Sequence, residues 1–457
     1  MKKKKKYDYT NNNEFIKLNN NINKYNNSIW LPKDKIEYTT LKTNSCFEIL
    51  KNDNNNDFKD IKLKNSNFKS NTNIYKCLKT ELKLTNYQKD IINRWFKSYI
   101  LMYNETLKYI KLRNINNEPL ILDFKKLRTY HLKETRNKII ETSQHPNYLK
   151  DTKIKTHILD KAIQLACSNY KSALTNLKNK NIKYFRIRYW KITKDNYNLS
   201  IEPSYFTKSS LCYNILGKVN AYYNNELFDL NLIKTKYNCE CKLIYSKITN
   251  KYELLIPEKI QLNNNDLMEK KQFISLDPGI RTFMTGLSNN DCIKININNK
   301  KIESIFQKID KLKKNKPNNK YTKKSILIKN RKIQNLVNEL HWKTINYLTN
   351  NYKTIIIGDM SVKKIVNNKT SNISKMTKRL AYALSFYKFK ERLKYKCLLK
   401  NCNYLEVNES YTSKICSNCT TLNETLGSNK IFNCNKCNIT IDRDLNGSRN
   451  ICFKCLK

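Results

Sequence analysis

The chain has 457 residues, 39% of them hydrophobic with 30 Tyr and 16 Phe, which is enough for two or three domains with cores of their own. Its 88 Lys and Arg against 38 Asp and Glu leave a formal charge of +50, an imbalance that calls for a polyanionic partner, nucleic acid first; an AT-rich genome would raise Lys, Asn, Ile and Tyr without depleting Asp and Glu to this degree. No apolar run reaches the length of a membrane span, and MKKKKK is followed by Asn and Lys instead of an apolar segment, so the sequence reads as neither membrane-spanning nor secreted.

Taken in chain order, residues 1–70 are rich in Asn and Lys with weak periodicity, and read as a mostly disordered tail. Residues 75–262 form a first structured half. Glu81 to Leu84 alternates like a strand. Tyr87 to Leu112 carries Ile91, Ile92, Trp95, Phe96, Tyr99 and Tyr103 at helical spacing, so these aromatics belong to a core before they belong to a base-stacking surface. A second helix is expected over Lys155 to Lys178. Tyr184 to Trp190 alternates basic with apolar residues, and on a strand Arg186 and Arg188 share one face, where they suit phosphate contact. Residues 237–257 read as a strand pair, and the polar run Asn263 to Lys271 as a boundary.

The second half covers residues 272–457. Phe273 to Leu276, Phe283 to Leu287 and Cys292 to Ile297 read as three strands, followed by basic helices over Lys301 to Lys313 and Thr322 to Asn350. A fully buried strand, Thr354 to Ile357, precedes a helix over Thr377 to Leu399, a strand over Tyr404 to Val407 and a last helix over Asp444 to Cys452. This βββαβα order is the one an RNase-H-like α/β domain requires. Lys378 and Arg379 lie on a helix that mixes basic and apolar residues and are candidate backbone contacts. Five of the six glycines fall in this half, among them Gly279, Gly358 and Gly447, where close packing or a tight turn is expected.

Fifteen cysteines in a reducing, intracellular setting (nucleus or cytoplasm) point to metal binding or isolated buried thiols instead of disulfides. Cys416-x-x-Cys419 and Cys434-x-x-Cys437 have the spacing of a four-thiolate structural Zn2+ site, a small finger over residues 412–440. Cys452 and Cys455 repeat the CxxC spacing on the terminal helix and are not expected to be ligands, and Cys239 and Cys241 read as strand residues. The carboxylates that could converge on two Mg2+ ions are Asp277, Asp359, Glu409, Asp442 and Asp444. A turn-forming role is the alternative for Asp277, and a helix N-cap is the alternative for Asp442 or Asp444. His341 falls on an apolar helix and reads as a packing or RNA-contact residue.

Three segments together resemble one family. Ser275-Leu276-Asp277-Pro278-Gly279-Ile280-Arg281, then Tyr411-Thr412-Ser413-Lys414-Ile415-Cys416-Ser417-Asn418-Cys419, then Asp442-Arg443-Asp444-Leu445-Asn446-Gly447-Ser448-Arg449-Asn450-Ile451 look like TnpB, the transposon-associated nuclease, and still more like its eukaryotic and viral relative Fanzor. Tyr103-Asn104 with Leu107 and the Phe185 segment extend the likeness over roughly residues 75–457. The resemblance implies a RuvC-like nuclease domain with an inserted zinc finger, an N-terminal half made of a β-barrel wedge and a helical recognition part, a guide RNA, and double-stranded target DNA cut by two-metal hydrolysis. One departure stands out. The family's usual second acid is a Glu at the position of Gly358, in Ile357-Gly358-Asp359. Glu409 resembles the rearranged acid of Fanzor, so the expected triad is Asp277, Glu409 and Asp444, with Glu406 as competitor and Asp359 as an outer group. The competing functions are a nuclease-inactive RNA- and DNA-binding accessory and a plain zinc-finger DNA-binding protein. A strand-transferring transposase lacks its His-hydrophobe-His and Tyr signature.

Overall fold

The computed structural model describes residues 13–32, 36–41, 47–53, 63, 74–141, 153–192, 196–208, 210–260, 270–289, 291–315, 319–366, 373–427 and 429–456. The chain divides into two compact units. One runs from Asn73 to Gln261; the other joins the segment before it, Met1–Thr72, to Leu262–Lys457.

The chain opens with α1 (Asn13–Tyr25), then the short strands β1 (Thr39–Leu41) and β2 (Phe47–Asp53). This corrects the expectation of a loose tail for these stretches. In α1, Leu18 and Ile22 sit four residues apart on one face and are completely buried, so two apolar side chains in an otherwise polar helix suffice to dock it. The opening lysines lie outside the described residues.

The Asn73–Gln261 unit follows: β3 (Ile74–Lys83), α2 (Asn86–Ile115), α3 (Phe124–Lys126), α4 (Lys133–Glu141), α5 (Thr156–Lys178), β4 (Asn196–Ile201), the hairpin β5 (Phe206–Thr207) and β6 (Ser210–Leu211), α6 (Tyr213–Leu216), β7 (Asn220–Tyr223), β8 (Glu226–Phe228), β9 (Cys241–Ser246) and β10 (Lys251–Ile260). Six strands form one sheet in the order β4-β9-β10-β3-β7-β8. α2 starts where Thr85 and Gln88 cap each other's backbone N–H groups, a reciprocal capping box. Trp95, Phe96, Tyr99 and Tyr103 are buried in the core of this unit, each large ring contributing roughly 2–3 kcal/mol of apolar burial. These rings therefore pack the helix, as their spacing predicted. Cys241 is a strand residue; Cys239 stands just before the strand.

The remainder runs β11 (Lys271–Pro278), β12 (Met284–Leu287), β13 (Asp291–Ile297), α7 (Asn299–Asn315), α8 (Lys320–Asn351), β14 (Tyr352–Gly358), α9 (Val362–Ile365), α10 (Lys375–Leu384), α11 (Phe386–Leu399), β15 (Asn403–Val407), β16 (Ile431–Asn433), β17 (Thr440–Asp442) and α12 (Arg443–Phe453). The sheet order is β1-β2-β13-β12-β11-β14-β15. β11, β12 and β13 are antiparallel neighbours, whereas β14 runs parallel to β11 and β15 parallel to β14. Apolar clusters lie on both faces, one with α7, α8, α10 and α11 and the other with α1, α12 and the cysteine ribbon. The middles of β11 (Phe273 to Leu276) and β14 (Thr354 to Ile357) are accordingly buried residue after residue instead of alternating.

The single helix expected over Thr377 to Leu399 is two. Ser385 takes a left-handed conformation (φ 49°) and separates α10 from α11, with Leu384 and Phe386 on either side both buried. The break frees the Leu384 carbonyl, which accepts a hydrogen bond from His341 Nε2 at 2.9 Å. The other ring nitrogen, Nδ1, then accepts from Arg392 at 3.0 Å. That fixes the neutral tautomer, and burial lowers the His341 pKa to about 4. Of its two sequence readings, packing is the one the fold realises.

Candidate functional site

The four cysteines converge. All four Sγ atoms of Cys416, Cys419, Cys434 and Cys437 lie within 4.8 Å of one another, with Cys416 to Cys437 at 3.6 Å and Cys419 to Cys434 at 3.3 Å. Thiolates about 2.3 Å from a central ion make a tetrahedron with edges of about 3.8 Å, so this cluster fits one Zn2+. Two short strands, β16 and β17, carry the second pair and lead directly into α12.

α12 distributes its side chains by helical phase. Asp442 caps it, its Oδ1 accepting from the N–H groups of Asp444 at 2.9 Å and Leu445 at 3.3 Å, while Oδ2 accepts from Lys294 at 2.7 Å. Asn446 and Asn450, four apart, donate to Ile415 O, and Asn450 also to Thr412 O at 2.7 Å. The loop that begins the first CxxC pair is thus braced from α12. Ser448 donates to Ser275 O of β11 at 2.6 Å. Gly447, one turn beyond Asp444, faces β11 as well: a Cβ there would come within 2.7 Å of Asp277 Oδ2. The helix can lie this close to Asp277 because residue 447 has no side chain.

Asp277 is one residue past the last β11–β14 pair, Leu276 with Ile357. Its carboxyl is held well above the ordinary carboxylate range, first by desolvation and then by the negative charges of Glu409 and Asp444. Desolvation also raises Asp444, with Asp442 adding to it and Arg443, Lys294 and Arg281 opposing it. Desolvation, with Asp359 next, pushes Glu409 to about 7. Glu409 Oε1 is buried and has no hydrogen-bond partner. Asp277 of β11 therefore feels an acid from the end of β15 and one from α12, and Glu409 keeps an unused acceptor, a donor set suited to divalent cations. The three acids are spread more widely than the thiols. Among the described residues only the four cysteines form a group of three or more metal-ligand side chains drawn together within 4.8 Å.

Glu406 and Glu409 have different surroundings. Glu406 pairs with Ile357 and turns to the α11 side, where Lys390 (2.7 Å), Lys394 (3.3 Å) and Tyr404 OH (3.0 Å) hold it. Leu405 and Val407 turn the other way, into the cluster that includes α12. Glu409 follows Val407 and lies beside Gly358, where a Cβ would fall 2.7 Å from the Glu409 carboxyl carbon. Any side chain at 358 would occupy the space that Glu409 fills. Asp359 sits behind, its Oδ1 accepting from Glu409 N–H at 3.1 Å.

The proposed backbone contacts are scattered. Arg186 and Arg188 are exposed, but Tyr184 to Trp190 is not a strand. It is an extended segment pinned by side chains: Asn104 brackets Trp190 through its N–H (2.8 Å) and its carbonyl (2.9 Å), and Tyr103 stacks on the Trp190 ring at 4.3 Å. The alternation survives because Phe185, Ile187 and Trp190 pack inward. Arg379 is occupied by Asp310 at 2.6 Å and lies over the Phe306 ring, and Lys378 is half-buried.

Two residues that the sequence reading did not single out hold the site's surroundings together. Arg449, fully buried, donates to Trp30 O (3.1 Å), Ile29 O (2.9 Å), both oxygens of Asn26 and Ser417 O. Lys454 reaches the turn that carries Glu409. No local spacing announces either role, because their partners lie far away in sequence or are backbone carbonyls.

A family model, "Cas12f1-like, TNB domain", matches residues 386–451. A TnpB-like protein of Acanthamoeba polyphaga mimivirus is 31% identical over 93% of this chain and 85% of its own length. A putative transposase of the same virus is 29% identical, covering 94% and 91%. Among solved structures, a Cas12f1-sgRNA-target DNA complex aligns over 80% of this chain and 83% of its own, at 14% identity and a TM-score of 0.44. With 31% identity to a TnpB-like protein sustained over 93% of its length, the chain belongs to the TnpB-like proteins.

Proposed function

We propose that the chain is the endonuclease of a transposon-type element, which cuts double-stranded DNA chosen by a bound guide RNA. In this reading, residues 272–457 form a RuvC-like domain of RNase-H-like fold, and the sheet order with its parallel β11, β14 and β15 supports it. The reading rests on one observation: Asp277 feels both Glu409 and Asp444, and the Glu409 Oε1 atom is buried without a partner. When bound, a pair of Mg2+ ions supplies an activated water and a stabilised leaving oxygen, giving 5′-phosphate and 3′-hydroxyl ends. The chain's own part is to hold three acceptor groups on separate elements at one place. Arg281, Arg443 and Lys294 bring positive charge beside Asp444, where a scissile phosphate needs it. The four cysteines hold Zn2+, which fixes the start of α12 and with it Asp444.

The Asn73–Gln261 unit is the recognition half, with Arg186 and Arg188 exposed toward phosphate. The charge of +50 supports a long nucleic-acid contact, in which base pairing with the guide chooses the target and the protein reads duplex shape. The relatives named TnpB-like and putative transposase support a place in a mobile element. The test is to co-purify the protein with its RNA, sequence that RNA, and assay a matching DNA with Mg2+. Asp277→Ala and Glu409→Ala should each abolish cutting and leave RNA binding intact, with Glu406→Ala still active. Cutting by Glu409→Ala together with loss in Glu406→Ala would reverse the acid assignment.

A further inference from the structure

Glu409 sits in a turn after β15, and such a turn needs external support to hold a carboxylate in place. Part of that support comes from Thr412 and Asp359. Thr412 donates both its N–H (3.2 Å) and its hydroxyl (2.8 Å) to Glu409 O, and Asp359 accepts the Glu409 N–H. The rest comes from the far end of the chain. Lys454, 5% exposed, places its ammonium 2.9 Å from Asn408 O and 2.9 Å from Ser410 O, the carbonyls immediately before and after Glu409. Its charge is met by Glu14 of α1 at 3.2 Å. The same α1 is anchored beside it: Asn21 donates to Phe453 O at 2.6 Å, and Phe15 meets the Tyr411 ring edge-on at 5.8 Å.

We infer that Lys454 is a positioning residue for Glu409, clamping the two flanking carbonyls so that the carboxylate is presented toward Asp277. This deepens the nuclease reading and rests on it. A tetrahedral ammonium with three N–H donors can serve two carbonyls and a carboxylate at once, which is the set found here. Hydrogen bonds from a charged donor to carbonyls are the stronger kind. The clamp also gives the N-terminal helix a task. Glu14 keeps a nearly buried cation neutralised.

The experiment uses full-length protein, with its guide RNA for cleavage and alone for hydrogen exchange. Lys454→Met keeps the stem and removes the donors. It should raise the Mg2+ concentration for half-maximal cleavage by about tenfold, the usual scale for losing a group that orients a metal ligand. Saturating Mg2+ should recover most of the rate, and guide-RNA binding should not change. Amide exchange of residues 408–412 should rise while that of β16, β17 and α12 stays at the wild-type level. Lys454→Arg, which keeps a cation but cannot set one nitrogen on both carbonyls, should fall between wild type and Lys454→Met, and it serves if the Met variant does not fold. An unchanged Mg2+ requirement in both variants overturns the inference. So does a uniform loss of rate at every Mg2+ concentration with exchange raised throughout the surrounding unit, which marks a purely structural lysine. Wild-type protein that cuts nothing under any Mg2+ removes the nuclease reading instead, and the exchange of residues 408–412 still reports whether the clamp exists.

Discussion

The cysteine cluster and the carboxylate cluster belong to the same compact unit, and Glu409 and Asp444 flank the cysteines in sequence, yet the two clusters are built in opposite ways. The four thiols come from two nearby CxxC turns, the second at the tip of the β16–β17 ribbon, so local geometry brings them within 4.8 Å. The three carboxylates come from the end of β11, the turn after β15 and the first turn of α12, and no local geometry relates them. A site made by spacing tolerates change elsewhere in the fold. A site made by packing inherits every weakness of the elements that carry it, and here it depends on a missing side chain at Gly358, another at Gly447, and a helix that the ribbon must start correctly.

Breaking the ribbon should give the largest effect. Cys434→Ser, or exhaustive chelation, removes a four-thiolate ion whose binding is worth about 10 kcal/mol or more in small zinc modules. Zinc content should fall from one ion per chain to none, and hydrogen-exchange protection should be lost through β16, β17 and the start of α12. Cleavage should vanish with it, since Asp444 loses its support. Retained cleavage in zinc-free protein would show that the two clusters are independent.

Next in size is Arg449→Leu. Five carbonyl-type contacts lose their donor at a fully buried position, at about 1–3 kcal/mol for each acceptor left dry. A stability loss of roughly 3–5 kcal/mol is expected by denaturant unfolding, with residues 26–30 the first to gain proteolytic sensitivity. Zinc stoichiometry should survive, which separates the packing of α12 from the cluster that precedes it.

A pH dependence comes from the opposite face of the sheet. His341 titrates near 4 in the fold against about 6.5 in an unfolded chain, so between these values the unfolded state binds the extra proton. Stability is therefore full above about 6.5 and declines as the pH falls toward 4, by on the order of 3 kcal/mol. His341→Gln keeps a donor for Leu384 O and should flatten this window in chemical-denaturation curves at pH 7 and pH 5. An unchanged slope would mean that another group carries it.

The smallest perturbation is Gly358→Ala, a single methyl aimed at Glu409. Folding and zinc content should hardly change, while cleavage should drop about 10- to 100-fold as the carboxylate is pushed aside. Wild-type cleavage by this variant would remove Glu409 from the site more economically than any change to Glu409 itself.

Much of this was readable in advance, for reasons particular to each segment. The presence of α2 and α5 followed from apolar residues at helical spacing, and the Thr85–Gln88 capping box shows where α2 begins. The buried strands β11 and β14 followed from short apolar runs ended by Asp277-Pro278-Gly279 and Gly358-Asp359. Other segments misled. Tyr184 to Trp190 alternates like a strand, but Asn104 takes the backbone groups at Trp190. Residues 13–25 look like a polar tail, yet Leu18 and Ile22 are enough to dock the helix. The helix over 377–399 breaks at Ser385, where no proline or glycine warns of it, because burying both Leu384 and Phe386 and giving the Leu384 carbonyl to His341 outweighs a continuous helix.

The sequence by itself determined the patterns that repeat within a few residues: the thiol quartet, the apolar strands, the helical stripes, the charge. Those depend on backbone periodicity and short loops, which act before any long-range contact exists. Only the tertiary structure shows that Lys390 and Lys394 hold Glu406, that Gly358 leaves room for the Glu409 side chain, and that Arg449 and Lys454 at the end of the chain tie the N-terminal segment and the Glu409 turn together. Which face of a strand end meets which helix is set by packing between residues tens to hundreds of positions apart, and a linear pattern carries no record of that distance.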